Sequence, residues 1–223
     1  MTGVVYLGGG GSGDDEGLLW QRMLCSCQRL LYWPLALEGD MLRGAETWLR
    51  NQLQQRGFSA QVETWISLEG KNPADLEGFD LLFVGGGNTF SLLHQLQTHG
   101  FIEPVRQWVD AGGNYYGGSA GAILATDSIE IAEQADRNDV GLIDLSGLGL
   151  LPAVSLLPHY TADQQEVAQN ISGRLGRPVI GVPEAAGLVV ENGAVETVGP
   201  QPVWTVTTEG AVSHTPGHIL SFT

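Results

Sequence analysis

The alternation along this chain predicts an α/β fold in which a mostly parallel sheet is covered by helices on both faces. Short apolar runs of strand length alternate with stretches of helical spacing, and several of the runs end directly in glycine clusters. Hydrophobic residues make up 43% of the chain and charged residues only 16%, which supplies a substantial core and argues against a disordered acidic segment. The 223 residues contain no linker, repeat or low-complexity stretch, so residues 1–223 are read as a single domain.

Residues 4–7, Val-Val-Tyr-Leu, form a first buried strand running into Gly8 to Gly11 and Gly13. Residues 18–30 have helical spacing, and 31–37 make a second strand in which Pro34 marks an edge or an irregularity. A helix over 41–55 is stopped by Gly57, and 60–66 is a strand. Residues 80–84 are a strand entering Gly85-Gly86-Gly87-Asn88, after which Thr89 is placed to cap a helix. Residues 102–111 are helical, ended by Gly112-Gly113, and Tyr115-Tyr116 belong to a short strand. The stretch 131–149 reads as a long loop of the kind that carries function. Beyond it come a strand at 154–157, a helix at 162–172 and a buried strand at 179–182. From Leu188 onward apolar and polar residues alternate around turns such as Glu191-Asn192-Gly193, which predicts antiparallel strands closing one edge.

Composition excludes several function classes. With 10 Lys+Arg against 25 Asp+Glu the formal charge is −15, the wrong sign for phosphate recognition, so nucleic acid is not an expected partner. Lys71 is the only lysine, which leaves little room for Schiff-base or P-loop chemistry. Cys25 and Cys27 are two apart in a helical stretch and point to different faces, so they are read as free thiols of a reducing cytoplasm. No 18-residue apolar run or basic leader is seen, so neither a membrane span nor a signal peptide is expected. A short peptide is the expected partner, and a homodimer is left open.

Gly117-Gly118-Ser119-Ala120-Gly121 fits G-x-S-x-G between a short strand and a helix start, the context of a nucleophile elbow. The helix N-terminus and the Ala120 amide then face the place where an oxyanion would form. A serine nucleophile needs a base, and the base a carboxylate to orient it. Of five histidines, His159 stands at the end of an apolar run, and Glu184 follows the next one in the same way. Ends of strands are where α/β sheets gather catalytic groups, so Ser119, His159 and Glu184 are expected to meet at one rim. Their order differs from Ser…Asp/Glu…His of ordinary α/β-hydrolases.

Four blocks, Val84-Gly85-Gly86-Gly87-Asn88-Thr89-Phe90, Tyr116-Gly117-Gly118-Ser119-Ala120-Gly121-Ala122, Pro158-His159-Tyr160 and Gly181-Val182-Pro183-Glu184, resemble the serine peptidase family that holds peptidase E and the cyanophycinases. The resemblance covers about residues 80 to 195 in order and spacing. It implies a three-layer α/β/α fold like that of class I glutamine amidotransferases, and cleavage of short peptides by an exopeptidase with no metal or organic cofactor. It also implies Ser119 as nucleophile, His159 as base, Glu184 as orienting carboxylate, Gly87 and Ala120 as oxyanion amides, and Asn88 at the substrate site. Asp139 corresponds to a family aspartate near the histidine. The chain departs from the family after His159: the segment is shorter, and Asp163 falls where peptidase E carries the arginine that holds an N-terminal aspartate. Strict Asp-X specificity is therefore not expected, and Asp163 suits a neutral or cationic group.

Two other readings compete. Cyanophycinase-like cleavage of β-aspartyl-arginine peptides would use the same triad. A dinucleotide site would use Gly8, Gly10 and Gly13 as G-x-G-x-x-G with Glu38 ending the second strand. Against the latter, Asp14-Asp15-Glu16 puts three carboxylates where a pyrophosphate would dock. The favoured reading of this first cluster is a glycine loop at the sheet rim near the active site.

Overall fold

A computed structural model describes residues 2–221. In chain order it contains β1 (Val5–Gly8), α1 (Gly17–Leu24), β2 (Arg29–Trp33), α2 (Gly39–Gln55), β3 (Gln61–Thr64), β4 (Leu81–Val84), α3 (Thr89–His99), α4 (Ile102–Asp110), β5 (Asn114–Gly118) and α5 (Ala120–Leu124). There follow β6 (Ser155–Pro158), α6 (Gln165–Leu175), β7 (Val179–Val182), β8 (Gly187–Glu191), β9 (Ala194–Val198), β10 (Val203–Thr207), β11 (Gly210–His214) and β12 (Ile219–Leu220).

The strands form an eight-stranded sheet, ordered β12-β9-β8-β1-β5-β4-β2-β3, and a four-stranded sheet, ordered β11-β10-β7-β6. β1, β5, β4, β2 and β3 run parallel, and β8, β9 and β12 extend the β1 side antiparallel. The α/β class is thus present, with a mixed sheet. Period-2 burial explains the layers, because successive strand side chains point to opposite faces. Tyr6, Leu30, Tyr32, Leu81, Phe83 and Tyr116 pack on one face with Leu19, Trp20 and Met23 of α1 and Leu49 of α2. Val5, Leu7, Leu31, Trp33, Leu82, Val84 and Tyr115 pack on the other with α3, α4, α5 and the second sheet. Each large apolar side chain buried this way contributes about 1.5–3 kcal/mol.

Several local expectations are corrected. α1 stops at Leu24, and β2 begins at Arg29 rather than Leu31, because Asp80 Oδ2 accepts from the amides of Gln28 and Arg29, both at 2.8 Å, and sets the strand start. Pro34 lies just past β2, which is paired on both sides by β4 and β3 and is no edge. The strands after Leu188 divide: β8, β9 and β12 close the edge of the large sheet, while β10 and β11 join β6 and β7 in the second. The stretch read as a long loop is tied down at its start by a 3-10 turn, Glu130–Gln134, and by a bridge between Ser128 and Ser146. The helix expected from residue 162 begins as a 3-10 turn, Ala162–Gln164, before α6. Among the described residues no helix is long and apolar enough to cross a membrane.

Candidate active site

Ser119 sits in the turn between β5 and α5, with φ 51° and ψ −108°. A positive φ in a residue with a Cβ costs about 1–3 kcal/mol and persists only where the surroundings enforce it. They do so here by close approach. A Cβ on Gly117 would lie 2.3 Å from the Gly121 carbonyl oxygen, and one on Gly121 would lie 2.5 Å from that of Val84. Only glycine at both positions lets the elbow close. The Ser119 carbonyl accepts from the Ala122 and Ile123 amides at 2.9 and 3.0 Å, anchoring the turn to α5.

His159 follows β6 directly and also has positive φ, 54°. Its amide donates to Gly9 O at 2.8 Å, and the Tyr160 amide to Val182 O at 3.2 Å, so the loop after β1 and the end of β7 both fix it. Glu184 stands two residues past β7. The three side chains meet: Ser119 Oγ is 3.0 Å from His159 Nε2, and His159 Nδ1 is 2.9 Å from Glu184 Oε1. A carboxylate only accepts, so Nδ1–H donates to Glu184 and Nε2 is left to accept from the serine hydroxyl. The imidazole and the carboxylate are 48% and 61% exposed, open enough for substrate to reach them.

Gly87 has φ 128°, and a Cβ there would lie 2.1 Å from Ala36 O. The β4–α3 loop can therefore lie against the loop after β2 only with glycine. Neither the Gly87 amide nor that of Ala120, the first residue of α5, has an acceptor among the described residues. Asn88, rather than Thr89, caps α3: its Oδ1 accepts from Ser91 N at 2.9 Å. Asn88 Nδ2 donates to Arg137 O at 2.9 Å, and the Thr89 amide donates to Asp136 Oδ2 at 2.7 Å. These bonds tie residues 136 and 137 to the turn between β4 and α3, with both polar atoms of Asn88 engaged by protein. Among the described residues no hydrogen bond or ion pair joins Asp139 to His159; Asp139 is exposed and 3.8 Å from the Arg137 guanidinium. Asp163 is exposed in the 3-10 turn after His159, and its charge adds to burial in raising the Tyr160 phenol. Arg174 and Arg177 are engaged elsewhere, with Glu133 at 3.0 Å and with Ser155 at 2.8 Å.

One site-building residue escaped the sequence reading. Glu16 is 1% exposed. Its Oε1 accepts from the Gly10 amide at 3.0 Å, and its Oε2 from Tyr116 Oη at 2.6 Å and Trp20 Nε1 at 3.3 Å. Burial pushes its carboxyl up to about 7, against the lowering effect of these bonds. Gly10, held by Glu16, packs on the triad: a Cβ there would lie 2.4 Å from His159 Nε2. The signal was the i,i+4 spacing of Glu16, the residue just before α1, and Trp20 on the buried face of that helix. The glycine loop thus lies beside the active site as expected. Its inner side faces a buried carboxylate, with Glu16 oxygens within 2.4 Å of a Cβ on Gly8, which is no cradle for a pyrophosphate. Among the described residues no group of three or more His, Cys, Asp or Glu side chains could hold a metal ion.

Two concavities flank the Ser–His pair. A pocket of about 460 Å³ includes Ser119, Gly85 and Gly86 in its lining. A groove of about 470 Å³ includes His159, Glu184 and Trp204.

The model of peptidase family S51 matches residues 18–198, most of the chain. The chain belongs to peptidase family S51. It is 32% identical over 157 residues to peptidase E of Salmonella arizonae, covering 64% of this chain and 66% of that one. It is 37% identical over 134 residues to peptidase E of Shewanella amazonensis, covering 54% of each. The matched stretch thus spans about two thirds or less of the length of these curated relatives. Among solved structures, a candidate peptidase E protein from Listeria monocytogenes EGD-e superposes with a TM-score of 0.73 at 24% identity, over 89% of this chain and 99% of that one. A peptidase from an acI-B1 Actinobacterium gives 0.74 at 20% identity, over 100% and 98%. At these identities the two structures support the fold, and the S51 membership rests on the sequence match.

Proposed function

We propose that this S51 chain is a serine peptidase of short peptides, acting through Ser119, His159 and Glu184 and an acyl-enzyme. The observation that carries the reading is the continuous chain of contacts from Ser119 Oγ to His159 Nε2 at 3.0 Å and from His159 Nδ1 to Glu184 Oε1 at 2.9 Å. As Oγ attacks the scissile carbonyl carbon, His159 Nε2 takes its proton, and Glu184 holds the imidazole and stabilises its charge. The carbonyl oxygen becomes an oxyanion facing the free Gly87 and Ala120 amides. Collapse breaks the C–N bond as His159 protonates the leaving amine. Water, deprotonated by the same imidazole, then releases the acyl group and restores Oγ–H.

The resemblance to peptidase E supports exopeptidase action. Engagement of Arg174 and Arg177 away from the site supports a specificity broader than Asp-X. Two free thiols support a cytoplasmic setting. The cyanophycinase-like alternative needs an acid to meet an arginine. Asp163 lies outside the lining of both concavities, and Glu184 is engaged with His159. Treatment with a small sulfonyl fluoride, read by intact mass and peptide mapping, should give one adduct, on Ser119. Full peptidase activity in protein that resists labelling there would overturn the assignment.

A further inference from the structure

The pocket beside Ser119 is not explained by the triad. It is cut between α2 and the sheet, and Tyr32, Phe83 and Tyr116 from β2, β4 and β5 line it, with Leu37, Met41 and Trp48 on the α2 side. No charged side chain lines it, and its volume of about 460 Å³ is ample for one large side chain. The aromatic rings are fixed against one another: Phe83 and Tyr116 centroids are 4.2 Å apart, and Tyr32 meets Phe83 edge-on at 5.4 Å. Tyr116 Oη is already engaged, donating to Glu16 Oε2 at 2.6 Å.

Resting on the serine-peptidase reading, we propose that this pocket receives a large apolar side chain, aromatic or branched aliphatic, on the residue whose carbonyl Ser119 attacks. The two concavities assign the sides. His159 must protonate the leaving amine, so the leaving portion lies toward His159, in the groove with Pro183 and Trp204. The acyl portion lies on the opposite side of the scissile carbon, where Ser119, Gly85 and Gly86 open into the apolar pocket, which does not include His159. A carboxylate side chain entering there would lose its hydration without gaining a cation. The pocket thus separates this chain from an aspartyl dipeptidase by what it lacks as well as by what it offers.

Gly44 of α2 gives a steric test, since it lines the pocket and a Cβ built on it meets nothing within 4 Å. α-Aminoalkyl diaryl phosphonates bearing phenylalanine-, leucine-, alanine- or aspartate-type side chains mimic the acyl residue whatever the peptide's length. Their rates of adduct formation on Ser119 are read by intact mass. The phenylalanine and leucine reagents should label about 10- to 100-fold faster than the alanine reagent, the range one hydrophobic pocket gives, with aspartate slowest. Gly44→Phe should bring the phenylalanine-to-alanine ratio to about one or below. Fastest labelling by the aspartate reagent, or a ratio unmoved by Gly44→Phe, overturns the pocket assignment while the serine reading stands. If even a small sulfonyl fluoride leaves Ser119 unmodified, the serine reading falls and takes the pocket assignment with it.

Discussion

Two residues of opposite kind set the geometry around the triad: Gly10, which must have no side chain, and Glu16, which must have its own. Gly10 leaves room for the His159 ring, and Glu16 holds Gly10 through a bond of 3.0 Å from a site only 1% exposed. The Glu16 carboxyl is raised from 4.5 to about 7 in the folded chain, so the folded state binds its proton more tightly than the unfolded chain does. The stability this gives is complete below about pH 4.5 and is lost as pH rises through about 7. A shift of that size corresponds to about 3 kcal/mol. Glu16→Gln keeps an acceptor for the Gly10 amide and cannot ionise. Its stability relative to the wild type, read from urea unfolding, should therefore increase between pH 5 and pH 8. Equal pH slopes for the two proteins would show that Glu16 does not titrate in this range. Read as a residue, Glu16 was hidden: in Asp14-Asp15-Glu16 three acids look alike, and only the α1 periodicity sets the last apart from its exposed neighbours. Ser119 was legible from the G-x-S-x-G turn between a strand and a helix, and His159 and Glu184 because each follows an apolar run, which places it at a strand's carboxyl end.

Among the elements, the strand–turn–helix pairs do the positioning, and their tightness is visible in the glycines. Gly121 in α5 and Gly44 in α2 are both helical, yet alanine should act on them in opposite directions. At Gly121 the added Cβ would lie 2.5 Å from Val84 O, a backbone atom of β4 that cannot swing aside. Gly121→Ala should cost about 2–3 kcal/mol in a denaturant titration. At Gly44 the space is open, and Gly44→Ala should stabilise by up to about 1 kcal/mol through helix propensity. A neutral Gly121→Ala would mean that the elbow is looser than its contacts indicate. The central strands were readable from their four- or five-residue apolar runs, with ends shifted by a few residues. Sheet membership was not readable, since the strands after Leu188 all alternate alike in sequence, yet β8, β9 and β12 join the large sheet and β10 and β11 the second. Pairing partners far apart in the chain decide that, and an apolar run carries no record of its partner.

At the scale of the molecule, the site lies where the two sheets meet. β5 of the large sheet brings Ser119, while β6 and β7 of the second sheet bring His159 and Glu184. The loop after β1 bridges them, with Gly9 O accepting from the His159 amide and Gly8 O facing the Ser119 amide at 3.4 Å. The triad is therefore assembled only by the complete fold, and its order along the chain follows from which strands carry it. The distances of 3.0 and 2.9 Å within the triad, and the apolar pocket that α2 closes beside it, could not be measured from composition or motif spacing. The most direct test of the account is the turnover of Ser119→Ala on short peptides that the wild type cleaves, with folding checked by the same denaturant titration. Loss of kcat by about 10⁴-fold or more in a normally folded protein is predicted; activity retained at a few per cent of wild type or above, by about that reckoning, would contradict it.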